Sequence, residues 1–318
     1  MKNTLRGVFM ENLIQIAKKI KDLEIQGARN VAKAAIRSMK DVILNSSAAE
    51  PDLLFKELLE AKNILFDTRP TEPAMRNGIR YVLYETKEAK GDIIATKEIA
   101  VSTCDNILNY FEDAILKIHE IGARKILSEM QIMTHCHSST VTGILRKAHE
   151  QGKDIHVICT ETRPRLQGHR TAKELVEAGI KVTFVVDSAM RYMMKHFEVD
   201  LALIGADAIT SEGTIINKIG TRLFALAADE RDVPMYCAAD TFKFSPETSL
   251  GFLEKIEKRD PEEIWKDAPA GLHIENPAFE TVPRRYIDGL ITEVGVFPPS
   301  SIAHQLLQLH PWMFNFKD

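Results

Sequence analysis

The chain has 318 residues, 45% of them hydrophobic and 27% charged, with a formal net charge of −4. That balance suits a folded chain with a full core and offers no whole-chain attraction for nucleic acid or an acidic membrane. No apolar run reaches the roughly 18 residues of a membrane span, residues 1–19 lack a signal-peptide core, and Cys104, Cys136, Cys159 and Cys237 show no CxxC spacing, so a cytoplasmic chain with free thiols is expected.

Residues 12–119 follow a helical pattern. Ile14, Ile16, Ala17, Ile20 and Leu23 recur at helix spacing among Lys and Glu. Gly27-Ala28-Arg29-Asn30 interrupts, and Val31, Ala34, Ala35 and Met39 resume the period. Pro51 opens a further helix through Leu59. Ile64-Leu65-Phe66 leads into the loop Asp67-Thr68-Arg69-Pro70-Thr71-Glu72-Pro73, and helices are expected over 74–87 and 94–120. Residues 1–122 therefore read as a helical domain.

After Gly122 the rhythm changes. Short β-rich runs occur at 126–133, 155–159, 182–186, 201–204, 234–238 and 291–296, with helical segments at 141–151, 171–178, 189–196 and 219–229 between most of them. Such alternation implies βαβ units and a parallel sheet covered on both faces. Residues 123–318 read as a Rossmann-like doubly wound domain, giving an α/β chain with an irregular insertion over 244–283.

The polar residues collect where the strands end. Met133-Thr134-His135-Cys136-His137-Ser138-Ser139-Thr140 closes the first strand, and Gly205-Ala206-Asp207 closes the fourth. In the usual 3-2-1-4-5-6 order those two strands are neighbours at the switch point, which sets Cys136 and Asp207 across one crevice. A thiol and a carboxylate facing each other form a minimal proton acceptor and donor for an isomerisation. That role asks for a thiol pKa lowered by a helix N-terminus and nearby cations, and for an Asp207 kept protonated by its apolar wall. Read alone, Cys136 is equally a core thiol beside a Ser/Thr cap, and Asp207 a turn carboxylate.

Asn217-Lys218 is placed at the opening of a helix, where it suits a sugar hydroxyl and an anionic group. Arg29, Arg69, Arg163 and Lys243 lie in or beside loops, and with Ser138, Ser139 and Thr140 at a helix start they suggest two phosphate sites. GxGxxG after a strand and GxxxxGK[ST] are both missing, so no nicotinamide or P-loop nucleotide cofactor is expected. In an extended segment His135 and His137 would point one way and Cys136 the other. With no partner pair to complete a tetrahedral set, no metal is expected.

Thr134-His135-Cys136, Thr162-Arg163-Pro164 with Gln167-Gly168, Asp187-Ser188-Ala189, Gly205-Ala206-Asp207, Asn217-Lys218-Ile219-Gly220-Thr221 and Thr292-Glu293 stand in the order of one family. From about residue 27 to 299 the chain resembles the translation initiation factor 2B alpha/beta/delta superfamily. That superfamily holds regulatory subunits and isomerases acting on methylthioribose 1-phosphate or ribose 1,5-bisphosphate. The regulatory subunits typically carry Ser at the place of Cys136, so the resemblance implies an enzyme. The methylthioribose branch typically carries Arg-Gly-Ala-Pro and Asn-Ala-Gly where this chain has Gln26-Gly27-Ala28-Arg29 and His137-Ser138-Ser139. The loops around Arg69 and 162–168 look closest to the archaeal ribose 1,5-bisphosphate isomerase branch.

The resemblance implies Cys136 as base and Asp207 as acid. It implies substrate contacts at Gln26, Gly27, Ala28, Arg29, Arg69, Ser138, Ser139, Thr140, Gln167, Asn217, Lys218 and Lys243. It further implies a sugar bisphosphate as partner, AMP as an activator in nucleotide salvage, and a homo-oligomer of dimers built into a hexamer. Trp312, Phe314 and Phe316 in the apolar tail are candidates for that interface.

Overall fold

The computed structural model describes residues 2–69 and 72–315, with residues 2–10 described by their backbone alone. Pro70 and Thr71 of the expected loop motif, and Phe316 of the tail, lie outside the described residues.

The helical half contains α1 (Lys2–Lys21), α2 (Ala28–Asn45), α3 (Pro51–Phe66), α4 (Pro73–Glu88) and α5 (Ile93–Ala123). On α2, Val31, Ala32, Ala35, Ile36, Met39, Val42 and Ile43 are buried, a single face of a 3.6-residue repeat. That face makes α2 the central helix, packed against α1, α3 and α4. Pro51 and Pro73 sit in first turns, where the missing amide costs no hydrogen bond. Helix α3 continues through Ile64, Leu65 and Phe66, which the sequence pattern places in the approach to a loop. The buried stripe Leu54, Leu58, Ala61 and Leu65 carries it that far.

Compact units interleave along the chain. One comprises Met1–Asp113 with Phe242–Phe244 and Leu306–Asp318, and the other Ala114–Thr241 with Ser245–Gln305. The cut expected after residue 122 tracks the end of α5, whereas the division between these units falls inside that helix, after Asp113. A residue pattern reports where a helix stops, not which core each of its turns joins. Within the first unit Trp312 stacks on Tyr81 with ring centroids 4.8 Å apart, and Phe314 lies 5.6 Å from Phe244. These two tail aromatics, candidates for a subunit interface, are packed against their own chain.

The remaining elements in chain order are β1 (Gln131–Thr134), α6 (Ser139–Glu150), β2 (His156–Thr160), α7 (Gln167–Glu177), β3 (Lys181–Val185), α8 (Met190–His196), β4 (Leu201–Gly205), β5 (Ala208–Thr210), β6 (Ile215–Lys218), α9 (Thr221–Asp229), β7 (Met235–Ala238), β8 (Phe244–Ser245), β9 (Phe279–Val282), β10 (Gly289–Thr292), β11 (Gly295–Phe297) and α10 (Ile302–Leu309). The large sheet runs β11-β10-β7-β4-β1-β2-β3 and is parallel except for β11. Its parallel strands have the expected doubly wound order, and β1 lies beside β4. Strands β2 and β4 are buried along their whole length, as strands covered on both faces must be.

Several local expectations are corrected. The first strand begins at Gln131 rather than 126, because a turn intervenes in which Glu129 adopts φ 70°. The run 291–296 is a hairpin, not one strand, with Ile291 paired to Val296 across a turn that Gly295 closes at φ 134°. Between β4 and α9 lie two strands that the sequence pattern missed. In a smaller sheet β6 pairs antiparallel with β5 and with β9. Asn217 and Lys218 therefore end a strand rather than open a helix, and α9 begins only at Thr221.

Candidate active site

The C-terminal ends of β1, β4 and β6 carry Cys136, Asp207 and Lys218. Cys136 is partly buried and takes φ 70°, a left-handed conformation. Its amide donates to Thr162 Oγ1 at 2.9 Å, and its carbonyl accepts from Thr171 Oγ1 at 2.9 Å. Thr162 is itself left-handed at φ 63° and fully buried. The Asp187 carboxylate holds that loop, accepting from Thr162 N at 2.8 Å and Arg163 N at 2.7 Å. Two adjoining turns thus present the thiol.

The left-handed turn cancels the expected alternation of His135 and His137. His135 Nε2 donates to Ile219 O at 2.9 Å, since a carbonyl can only accept, so its Nδ1 accepts from the Thr160 hydroxyl at 2.6 Å. His137 Nδ1 instead pairs with Thr171 Oγ1 at 3.1 Å. Burial holds both imidazoles below their usual pKa, hence neutral near pH 7. They serve as scaffold on separate partners.

Asp207 is half-buried between β4 and β5, with its amide bound to Ile216 O at 2.9 Å. Lys218 is buried, and its ammonium lies 4.5 Å from the centroid of the Phe279 ring. Burial lowers the Lys218 pKa, while Cys136 and Asp207 act on it in the opposite sense. The thiol of Cys136 is pushed up to about 11 by burial, against the counteracting charge of Lys218 and a backbone hydrogen bond at His137. Asp207 and Asp187 add to the rise. The expectation of a lowered thiol pKa is therefore corrected: desolvation outweighs the cation. Cys136, Asp207 and Lys218 nonetheless form one electrostatically coupled cluster.

The hydroxyl run 138–140 divides into three roles. Ser138 caps α6, its Oγ accepting from Val141 N at 3.4 Å, while Ser139 is exposed and Thr140 is buried. Asn217 is buried beside Lys218 and donates to Thr221 Oγ1 at 3.2 Å. Gln167 opens α7, and its Oε1 is buried with no hydrogen-bond partner among the described residues. Arg163, grouped with the phosphate-binding cations, instead donates from Nη2 to Ile264 O at 3.2 Å.

The other expected contacts belong to the first unit. Gln26 is exposed and donates from Nε2 to Leu23 O at 2.6 Å. Gly27 precedes α2 with φ 84°, Ala28 is buried, and Arg29 is partly buried. Arg69 is buried with Nη2 3.3 Å from Glu72 Oε1. Lys243 is also buried, and the carbonyls of its neighbours Phe242 and Phe244 accept from Asn77 Nδ2 at 2.8 and 2.7 Å.

Residues 24–299 match the Initiation factor 2 subunit family. The chain belongs to that family. Within it, the chain is 42% identical to a ribose 1,5-bisphosphate isomerase from Pyrococcus furiosus over 98% of both sequences. It is 41% identical to a ribose 1,5-bisphosphate isomerase from Methanocaldococcus jannaschii, over 96% of this chain and 97% of that one. Among solved structures, translation initiation factor eIF-2B of Pyrococcus horikoshii OT3 superposes with a TM-score of 0.78 at 30% identity, covering 91% of this chain and 98% of that chain. Near-full-length identity to isomerases places this family member among the enzymes.

Sequence reasoning left Thr162 and Asp187 without a role and missed Phe279 and Arg259. Thr162 and Asp187 stand inside quoted motifs, so the signal was present but gave no partner. Phe279 and Arg259 lie in or beside the insertion, where no periodicity links them to Lys218.

Proposed function

We propose that this chain converts ribose 1,5-bisphosphate to ribulose 1,5-bisphosphate, with Cys136 as base and Asp207 as acid. The observation that carries the reading is the coupled Cys136–Asp207–Lys218 cluster at the ends of β1, β4 and β6. It is supported by the full-length relatives that bear that activity in their names.

The chemistry follows from the substrate. A phosphate on the anomeric carbon prevents spontaneous ring opening to an aldehyde, so the ring must open as C2 loses its proton. The thiolate of Cys136 takes the C2 proton, the electron pair forms the C1–C2 double bond, and the bond from C1 to the ring oxygen breaks. Asp207 protonates that oxygen as it leaves. The resulting enol phosphate gives its O2 proton to the Asp207 carboxylate and receives the thiol proton at C1. Both groups end as they began.

The resting thiol, pushed up to about 11, holds its proton near neutral pH. The reactive form therefore needs the thiolate of Cys136. The Lys218 ammonium favours the thiolate and suits an anionic substrate group. Gln26–Arg29, Arg69, Ser138–Thr140, Gln167, Asn217 and Lys243 complete the proposed substrate contacts. The same reading includes AMP as an activator, a cytoplasmic salvage role, and a homo-oligomer of dimers up to a hexamer.

The test is direct. Purified protein is incubated separately with ribose 1,5-bisphosphate, methylthioribose 1-phosphate and ribose 5-phosphate while ketose is followed. Turnover of the bisphosphate is expected. Preferential turnover of methylthioribose 1-phosphate, or binding of sugar phosphates without any turnover, overturns the reading.

A further inference from the structure

Residues Phe242–Phe244 belong to the first unit, while the chain on either side of them belongs to the second. The middle one is Lys243, a buried residue among the proposed substrate contacts. A stretch that short has too few hydrogen bonds of its own to be self-supporting, so its position depends on what grips it.

Two kinds of grip are present. The Phe242 ring lies 5.0 Å from that of Tyr110, 5.3 Å from Phe111 and 5.7 Å from Trp312, centroid to centroid, and Phe244 lies 5.6 Å from Phe314. The planes of these pairs meet at angles from 45° to 75°. Ring packing tolerates such a spread, so it locates the segment without fixing its peptide planes.

Hydrogen bonds do fix them. Asn77, on α4, donates from Nδ2 to Phe242 O at 2.8 Å and to Phe244 O at 2.7 Å. Carbonyls can only accept, so the amide nitrogen must face them, and both of its hydrogens are used. The peptide before Lys243 and the peptide after Phe244 are thereby held on one atom.

The residue type is otherwise hard to account for. Asn77 is fully buried on a helix whose other buried members include Met75, Ile79, Val82 and Leu83. Asparagine is a weak helix former, and here its Oδ1 is buried with no hydrogen-bond partner among the described residues. A leucine would fill the place without that cost. What asparagine adds is the pair of bonds on either side of Lys243. We propose that Asn77 is a positioning residue that holds Lys243 in place for an anionic group of the substrate. The inference rests on the reading of Lys243 as a substrate contact.

The experiment pairs two readouts on the full chain. The first is steady-state kinetics with ribose 1,5-bisphosphate in Asn77→Leu, Lys243→Met and the double variant. Asn77→Leu is expected to raise KM about tenfold, the scale of one hydrogen bond to a charged group, with kcat within about threefold of wild type. The double variant should show the KM of Lys243→Met alone, because a residue that acts through Lys243 then has nothing left to position. An unchanged KM in folded Asn77→Leu, or a further rise of about tenfold in the double variant, overturns the proposal.

The second readout needs no substrate. Trace acetylation by acetic anhydride, located by peptide mass spectrometry, compares Lys243 with Lys218, both 8% exposed. Asn77→Leu should raise labelling of Lys243 about tenfold and leave Lys218 unchanged. An equal rise at both lysines would report general loosening and overturn the inference, as would labelling of Lys243 at the wild-type rate.

If Asn77→Leu does not fold, Asn77→Ser carries the test. One hydroxyl donates to one carbonyl only, so KM and Lys243 labelling should each rise about threefold, and no change in either overturns the inference. The expected labelling in a protein that turns over no sugar phosphate would uphold the positioning of Lys243 and remove the assigned substrate.

Discussion

A β-carbon on Gly205 would stand 2.7 Å from Oγ of Ser138 and 2.9 Å from its Cβ. The last residue of β4 therefore touches the cap of α6, at the point where a doubly wound sheet opens its crevice. Asp207 follows that glycine by two residues and Cys136 precedes that serine by two. The contact sets the spacing between the two groups assigned to proton transfer.

Gly205→Ala should accordingly act on both stability and chemistry. Overpacking at a rigid backbone position costs roughly 1–3 kcal/mol. Displacing the Ser138 turn should also lower kcat by about a hundredfold, the effect of misplacing a reacting group by about 1 Å. Urea midpoints and steady-state turnover measured on the same preparation check both. A lower midpoint with unchanged kcat would make the contact purely structural.

Thr162→Val tests how the thiol is held. The substitution keeps the shape of the side chain but removes the oxygen that accepts from Cys136 N at 2.9 Å. An orphaned amide costs about 1–3 kcal/mol, and here it also releases one of two adjoining left-handed residues. Thermal unfolding should shift downward and kcat should fall about tenfold. Thr162→Ser, which restores the hydroxyl, should recover most of both.

The placement of Cys136 and Asp207 was legible because an apolar run ended by polar residues marks a strand end, and strand order follows from βαβ alternation. Strands β5 and β6 were not legible. Three- and four-residue strands offer no period to count, and β6 finds its partner β9 only across the long insertion. For the same reason Lys218 was placed on a helix, and neither Phe279 nor Arg259 could be linked to it. The raised thiol pKa of Cys136 was illegible on different grounds. The sequence exposes the neighbouring cation, whereas the opposing burial belongs to the tertiary structure.

Buried thiols give a pH dependence with a definite sign. Burial pushes Cys104 and Cys159 up to about 12 and Cys136 up to about 11. In the unfolded chain these thiols ionise near pH 8.5. Between those values the unfolded state sheds protons that the folded state keeps. The stabilisation is complete below the ordinary thiol range and is lost as pH rises towards the folded values, by on the order of 3 kcal/mol for a deeply buried thiol at pH 11. Urea midpoints from pH 8 to 11 should fall, and Cys159→Ala should flatten that slope. A midpoint independent of pH over this range would contradict the burial argument.

A base that removes the C2 proton and resupplies C1 leaves a mark on the product. In deuterium oxide at partial conversion, ribulose 1,5-bisphosphate should carry solvent deuterium at C1 in a single configuration, in the fraction of turnovers where the thiol exchanges its proton with solvent before delivering it from one face. Cys136→Ser should reduce turnover by about a thousandfold and Asp207→Asn by about a hundredfold or more, the range for loss of a general base or acid. Both variants should still bind the bisphosphate, since neither change removes a cation. Loss of turnover in both with solvent deuterium in the wild-type product fits the two-group mechanism. Near-wild-type turnover in either variant would refute the assignment. Absence of solvent deuterium together with an active Cys136→Ser would point instead to a direct hydride shift between C2 and C1, which needs neither the thiol nor the enol phosphate.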